Sequence, residues 1–283
     1  MEINRPMWTE NTRPFLLFLV IMTALSLAPM LSHAAVFWDD EMEEGTSGFS
    51  PAYMASTMIP NGIMAYDTSV KFSGAGSIRL NYPPACQTLT TQNQCGGAAT
   101  RSFPLTDNVY RRVYFRMSGL GPNTTASGLF ETSVSAFTKM LRLVSDGLNR
   151  DWWAMGCCGS KRFGFAAENV PPGQALDLYS SISLADNRWY CIETHEQLNT
   201  PGVANGIAEA WVDGARVLSR TNVMYRLAGN TNLWKTVGIF RQIGAGNMWW
   251  DRYAVGDTRI GCSGSSGQTD TTPPANPSGA SVR

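Results

Sequence analysis

Short runs of β-branched and aromatic residues, cut at close intervals by Gly, Pro, Asn and Asp, are what this chain has to fold with. Val109 to Met117 alternates, with Val113, Phe115 and Met117 on one side and Arg112, Tyr114 and Arg116 on the other. Lys139 to Val144 repeats the pattern, and Trp189 to Leu198 extends it into a long strand. Ile207 to Val212 runs into Asp213-Gly214, a type I′ hairpin signal, and Ala215 to Leu218 returns. Val70 to Phe72, Ser77 to Tyr82, Val237 to Ile243 and Trp249 to Val255 complete the set. No window of a dozen residues carries a helical period, and the one helical turn expected is around Ala175 to Ser180. The chain is predicted to be all-β, with two antiparallel sheets packed as a sandwich.

Charge narrows the function. Among 283 residues, 22 Lys and Arg balance 22 Asp and Glu. Nucleic-acid affinity rests on a basic surface that neutralises phosphates, so a nucleic-acid partner is not expected. With charged residues at 16% alongside 27 Gly, 15 Pro and 9 Trp, the composition is that of a packed, turn-rich domain. One sandwich of about 250 residues accommodates it.

Residues 1–34 read as a leader. Arg5 and Arg13 precede an apolar run from Phe15 to Leu27, Pro29 breaks it, and Ser32-His33-Ala34 offers small residues for cleavage. The run falls short of the roughly 20 residues that span a bilayer. The expected product is secreted, extracellular or periplasmic, with no stable membrane insertion. His33 leaves with the leader, and His195 is the histidine that remains. All six cysteines also remain, and an even number in an exported chain argues for disulfides. Cys86 and Cys95 bracket a polar loop and form the best pair. The partners of Cys157, Cys158, Cys191 and Cys262 stay open. Zinc is disfavoured, because no C-x-x-C pair exists.

Several strings resemble the concanavalin A-like lectin/glucanase superfamily, and within it the heparin lyase I-like polysaccharide lyases. They are Phe37-Trp38-Asp39-Asp40-Glu41, Gly74 to Leu80, Trp189-Tyr190-Cys191-Ile192-Glu193, Gly206 to Gly214, Trp250 to Val255 and Arg259 to Cys262. The resemblance implies a jelly-roll sandwich over residues 35–262. Residues 263–283 then form a flexible linker, in which Thr269 to Gly279 resembles the opening strand of a fibronectin type III module. Fold does not fix function, since this superfamily holds lectins, hydrolases, lyases and adhesion modules.

Alternation nominates the site. Cys191, Glu193, His195 and Gln197 share one face of their strand, and on the next strand Glu209 and Trp211 point away from core-like Ala208, Ala210 and Val212. Arg112, Tyr114 and Arg116 add a third row and Arg142 a fourth position. Solvated outer faces show the same polar alternation. The mixture of imidazole, amide, phenol, carboxylate and guanidinium groups is nonetheless the chemistry of a sugar site. In lyases of the resembled kind, Gln or Arg neutralises the uronate carboxylate, His is the base, and Tyr delivers the proton. That implies His195 and Gln197, with Arg116 or Arg142 and Tyr114 or Tyr253. Glu193, Glu209 and Trp211 would bind substrate, and Trp152-Trp153 is a candidate stacking pair. The Glu-x-Asp-x-x-Glu string of laminarinase-type hydrolases is absent. No cofactor signature occurs. Asp39, Asp40, Glu41, Glu43 and Glu44, with Asp251, offer oxygen ligands to calcium, although such a run is usually a solvated strand start. A uronate-polymer lyase, a non-catalytic glycan-binding module and an adhesion domain all fit, with a polysaccharide or glycan as partner in the first two. The oligomeric state is open.

Overall fold

A computed structural model of the protein describes residues 36–43, 50–53, 64–81, 97–118, 137–146, 149–156, 162–165, 178–241 and 246–262. Within them, fifteen strands form two antiparallel sheets and no helix occurs. The first sheet has eight strands: β1 (Val36–Asp40), β3 (Met64–Asp67), β4 (Ser77–Asn81), β6 (Asn108–Ser118), β11 (Trp189–Gln197), β12 (Gly206–Val212), β13 (Ala215–Val223) and β15 (Asn247–Gly256). Their order is β13-β12-β11-β6-β15-β4-β3, with β1 also paired to β15. The second has seven: β2 (Ser50–Tyr53), β5 (Gly97–Thr106), β7 (Phe137–Ser145), β8 (Asn149–Gly156), β9 (Arg162–Phe165), β10 (Leu178–Ser183) and β14 (Trp234–Arg241), in the order β10-β9-β8-β7-β14-β5-β2.

The core follows the alternation. Val113, Phe115, Met117, Ile192, Ala208, Ala210 and Trp250 from the first sheet are buried in one cluster with Leu141, Leu143, Val237, Ile239 and Phe163 from the second. The Asp213-Gly214 turn joins β12 to β13 with both residues at positive φ, 50° and 81°, as a type I′ hairpin requires. Polar groups enter the core as well. Arg111 pairs with Glu196, both fully buried, and donates to Thr194 Oγ1 at 3.1 Å. Arg111 Nη1 also donates to the Arg142 carbonyl at 2.9 Å, a bond from the first sheet to the second.

Three local expectations change. Val70 to Phe72 is not a strand, because the Asp67 carboxylate accepts the Ser69 and Val70 N–H groups at 2.9 and 3.2 Å and turns the chain out of β3. The helical turn expected around Ala175 to Ser180 gives way, from Leu178 onward, to β10, whose Leu178 and Tyr179 pair with Phe165 and Gly164. In β15 a bulge intervenes, since Asp251 stands opposite Tyr114 but Ala254 stands opposite Arg112. Arg252, at φ 48°, is the extra residue, and it shifts the following side chains to the other face.

Residues 1–34, the Cys86–Cys95 pair, Cys157, Cys158 and the tail from Ser263 lie outside the described residues. Among those described, no helix is long and apolar enough to cross a membrane.

Candidate functional site

The outer face of the first sheet is built in rows, because residues opposite one another on neighbouring strands carry their side chains to the same side. One row runs Gly256, Tyr110, His195, Glu209, Ser219 across β15, β6, β11, β12 and β13. The next runs Ala254, Arg112, Glu193, Trp211, Arg216, and a third joins Asp251, Tyr114 and Cys191. A fourth is Arg79, Trp249, Arg116, Trp189.

Two chain segments cover the middle rows. The segment after β15 is fastened by a disulfide between Cys191 and Cys262. Glu193, fully buried, accepts the N–H groups of Ile260 and Gly261 at 2.6 and 3.1 Å and the Arg259 side chain at 3.2 Å. Arg259 lies over the Trp211 ring, 4.6 Å from its centroid, and Tyr114 donates its hydroxyl to the Cys262 carbonyl. The loop between β3 and β4 covers the rest. Phe72 stacks on Tyr114 at 3.7 Å, and the Asp251 carboxylate accepts from Phe72 and Ser73 N–H at 2.7 and 3.2 Å. Burial, with help from the nearby Glu43 charge, pushes Asp251 up to about 6 against those donors.

The row through His195 stays open at the surface. Tyr110, half-buried, stacks on the His195 ring at 4.0 Å and 5°. Asn108 Nδ2 donates to the Asp257 carbonyl at 2.7 Å, which turns its Oδ1 toward His195 Nε2 at 2.8 Å. Nε2 therefore carries a proton. Nδ1 faces Glu209 Oε2 at 3.3 Å. A second proton there would complete an ion pair, but burial costs the imidazolium more than Glu209 and Glu193 return, so the His195 pKa is lowered. Glu209 also accepts from Arg216 and Ser219, at 3.1 and 2.9 Å. Burial opposes its charge, but its hydrogen bonds outweigh that and its pKa is lowered too. Burial, then the charges of Glu209 and Glu193, raise the Tyr110 pKa and keep its phenol protonated.

Expected stability follows with a definite sign. A lowered histidine pKa means that the unfolded chain binds more protons below its ordinary value of 6.5, so stability is lost as the pH falls from there. Glu209 adds a loss from its ordinary 4.5 downward, through its folded value. Asp251, with its raised pKa, works in the opposite direction below about 6. The difference between proteins isolates the histidine: relative to H195Q, the wild-type urea midpoint should drop between pH 7 and 5. Parallel midpoints across that interval would contradict the lowered pKa.

The nominated residues divide among several places. His195, Gln197, Glu193, Glu209, Trp211, Tyr114 and Arg116 share the outer face of the first sheet, as alternation predicted. Arg142 does not join them, because its strand β7 belongs to the second sheet, opposite Asp151. Trp152 and Trp153 also lie in the second sheet, in β8. Tyr253 is turned into the core by the β15 bulge, fully buried, and burial pushes it up to about 12. Tyr110 and Asn108 were missed, although counting back from Arg112 in steps of two reaches both. The acidic run is dispersed: Asp39 pairs with Arg112 and Glu41 with Arg252, at 2.8 and 2.9 Å, and Asp40 pairs with Arg101. Glu43 accepts the Ala75 N–H, and Glu44 lies outside the described residues. Among the described residues, no three His, Cys, Asp or Glu side chains converge as a metal site.

Layered sheets and an open polar face define an all-β sandwich, and solved structures of jelly-roll type share it. The marine PL-14 alginate lyase from Aplysia kurodai matches with a TM-score of 0.52 at 11% identity, over 78% of this chain and 99% of that one. The endo-β-1,4-glucuronan lyase from the fungus Trichoderma reesei matches at 0.48 and 11%, over 79% and 96%. The T. cruzi calreticulin globular domain matches at 0.49 and 11%, over 80% and 89%. At such identities the likeness is one of fold. No family model matches the chain, and no curated protein matches it in sequence.

Proposed function

We propose that this protein is an exported carbohydrate-active sandwich whose function is to bind a polysaccharide on the open face of its first sheet. The supporting observation is the Tyr110 row. A partly buried phenol ring lies flat on a held imidazole, and around it stand the Asn108 and Gln197 amides, the Glu209 carboxylate, the Ser219 hydroxyl and the Arg216 guanidinium. Aromatic faces meet sugar C–H surfaces, and such polar groups meet hydroxyls. The Cys191–Cys262 bridge suits an oxidising compartment and so supports the export reading.

β-Elimination from a uronate polymer is the second reading, favoured by the Tyr110–His195 stack and by the fold shared with an alginate lyase. It places Tyr110, protonated, as the donor to the leaving oxygen. It also requires a basic ring nitrogen on His195; with Nε2–H donated to Asn108, that nitrogen is Nδ1, which faces Glu209 Oε2. One experiment separates the readings. The full protein is titrated with alginate, glucuronan and neutral β-glucan while the ultraviolet absorbance of an unsaturated uronate is followed. Binding without absorbance supports a binding module. Absorbance that falls about 10²–10⁴-fold in H195A supports elimination. No binding to any polymer would overturn both.

A further inference from the structure

The fourth row of the first sheet lies at the opposite end of that face from the His195 row. Arg79, Trp249, Arg116 and Trp189 alternate cation and indole across β4, β15, β6 and β11. Arg116 sits with its guanidinium carbon 5.6 Å from the Trp249 ring centroid. Its Nη2 reaches Asn187 Oδ1 at 3.3 Å, its Nε is buried without an acceptor, and among the described residues no carboxylate pairs with it. Arg79 is scarcely better supplied. Asp67 lies 3.6 Å from its Nη1, but that carboxylate already accepts from Ser69, Val70 and the Trp249 indole. Those bonds outweigh burial and hold Asp67 at about 2, so it stays ionised. Among the described residues, Asp67, already heavily used, is therefore the one carboxylate set against the row's two guanidinium groups, beside Arg79 and not Arg116, and the row carries an excess positive charge.

We propose that Trp189, Arg116, Trp249 and Arg79 form a carboxylate-binding subsite for an acidic sugar. This rests on the polysaccharide reading above and names its class as polyuronate. A guanidinium presents a planar fork that matches a carboxylate, and the Trp249 ring and Asn187 Oδ1 orient that of Arg116 before ligand arrives. Phe72, 41% exposed, meets Trp189 edge to face at 6.1 Å and extends the apolar surface on which a pyranose ring can rest. Arg79 and Arg116 stand two strands apart, about 10 Å, so the row can meet two carboxylates of one polymer chain. Nothing here calls for chemistry; the row holds the chain by its charge while the Tyr110 row reads it elsewhere on the same sheet.

The test is calorimetric titration of the full protein with alginate and glucuronan oligosaccharides, and with a neutral β-glucan oligosaccharide as control. Wild type is expected to bind the acidic ligands more tightly than the neutral one, and less tightly as salt is raised. R116Q should weaken acidic binding about tenfold or more and leave neutral binding unchanged. R116K, which keeps the charge without the fork, should fall between. Near-ultraviolet circular dichroism establishes that each variant retains its packed tryptophans. Unchanged acidic affinity in R116Q would overturn the subsite and leave polysaccharide binding standing, as would equal wild-type affinity for acidic and neutral ligands. Absence of all binding by the wild type would overturn both.

Discussion

Replacing Arg111 by Ala should cost about 3–5 kcal/mol of folding stability, the range for breaking a buried ion pair from one side. Glu196 would be left fully buried with its carboxylate facing the space the guanidinium filled. The Thr194 hydroxyl, 3.4 Å from Glu196 Oε2, brings no charge to replace the guanidinium. The change would also remove the bond to the Arg142 carbonyl that ties β6 to β7. The reverse experiment isolates the cause. A double variant, Arg111→Met with Glu196→Leu, removes both charges and refills the volume, and it should recover most of the loss or exceed wild type. Urea denaturation followed by tryptophan fluorescence measures both, with buried Trp234 and Trp250 as reporters. An Arg111→Ala protein within about 1 kcal/mol of wild type would show that water or a neighbour compensates Glu196.

Period-two alternation was enough to place most of the sheet face. Tyr190 and Ile192 went to the core and Glu193, His195 and Gln197 outward, because β11 runs without interruption. The same rule failed in β15, where Asp251 is outward and Tyr253, two residues on, is inward. Nothing local announces that bulge, since Arg252 adopts a positive φ without being Gly or Asn. Asp67 illustrates the other gap: an Asp-Thr-Ser-Val string reads equally well as strand or turn until the carboxylate is seen capping Ser69 and Val70. Sheet membership was also hidden. Arg142 alternates as cleanly as Arg116, and only the pairing of β7 with β8 and β14 puts it in the other sheet. The His195 environment depends on contacts from three strands and the Asp257 carbonyl, so its placement between Asn108 and Glu209 was beyond any one segment.

Loss of the Cys191–Cys262 bridge is expected to lower stability by about 4 kcal/mol, from loop closure over a sequence separation of 71 residues. For a domain of this size that corresponds to roughly 8–16 °C in Tm. The bridge joins the chain after β15 to Cys191, near the start of β11, and the residues just before Cys262 carry the contacts that keep Glu193 satisfied. Freed of Cys262, Ile260 and Gly261 would hold their N–H bonds to Glu193 only at the cost of ordering that segment without a covalent tie. Any opening leaves a fully buried carboxylate short of donors, which adds to the entropic loss. The double variant C191S/C262S separates these effects from thiol chemistry, and E193Q, with the bridge intact, reports the electrostatic part alone. Thermal unfolding of all three, with and without a thiol reductant, is the measurement. Wild type under reductant should approach C191S/C262S, and the double variant should no longer respond through this bridge. A wild-type Tm equal to that of the double variant would mean that Glu193 and Arg259 hold the segment by themselves.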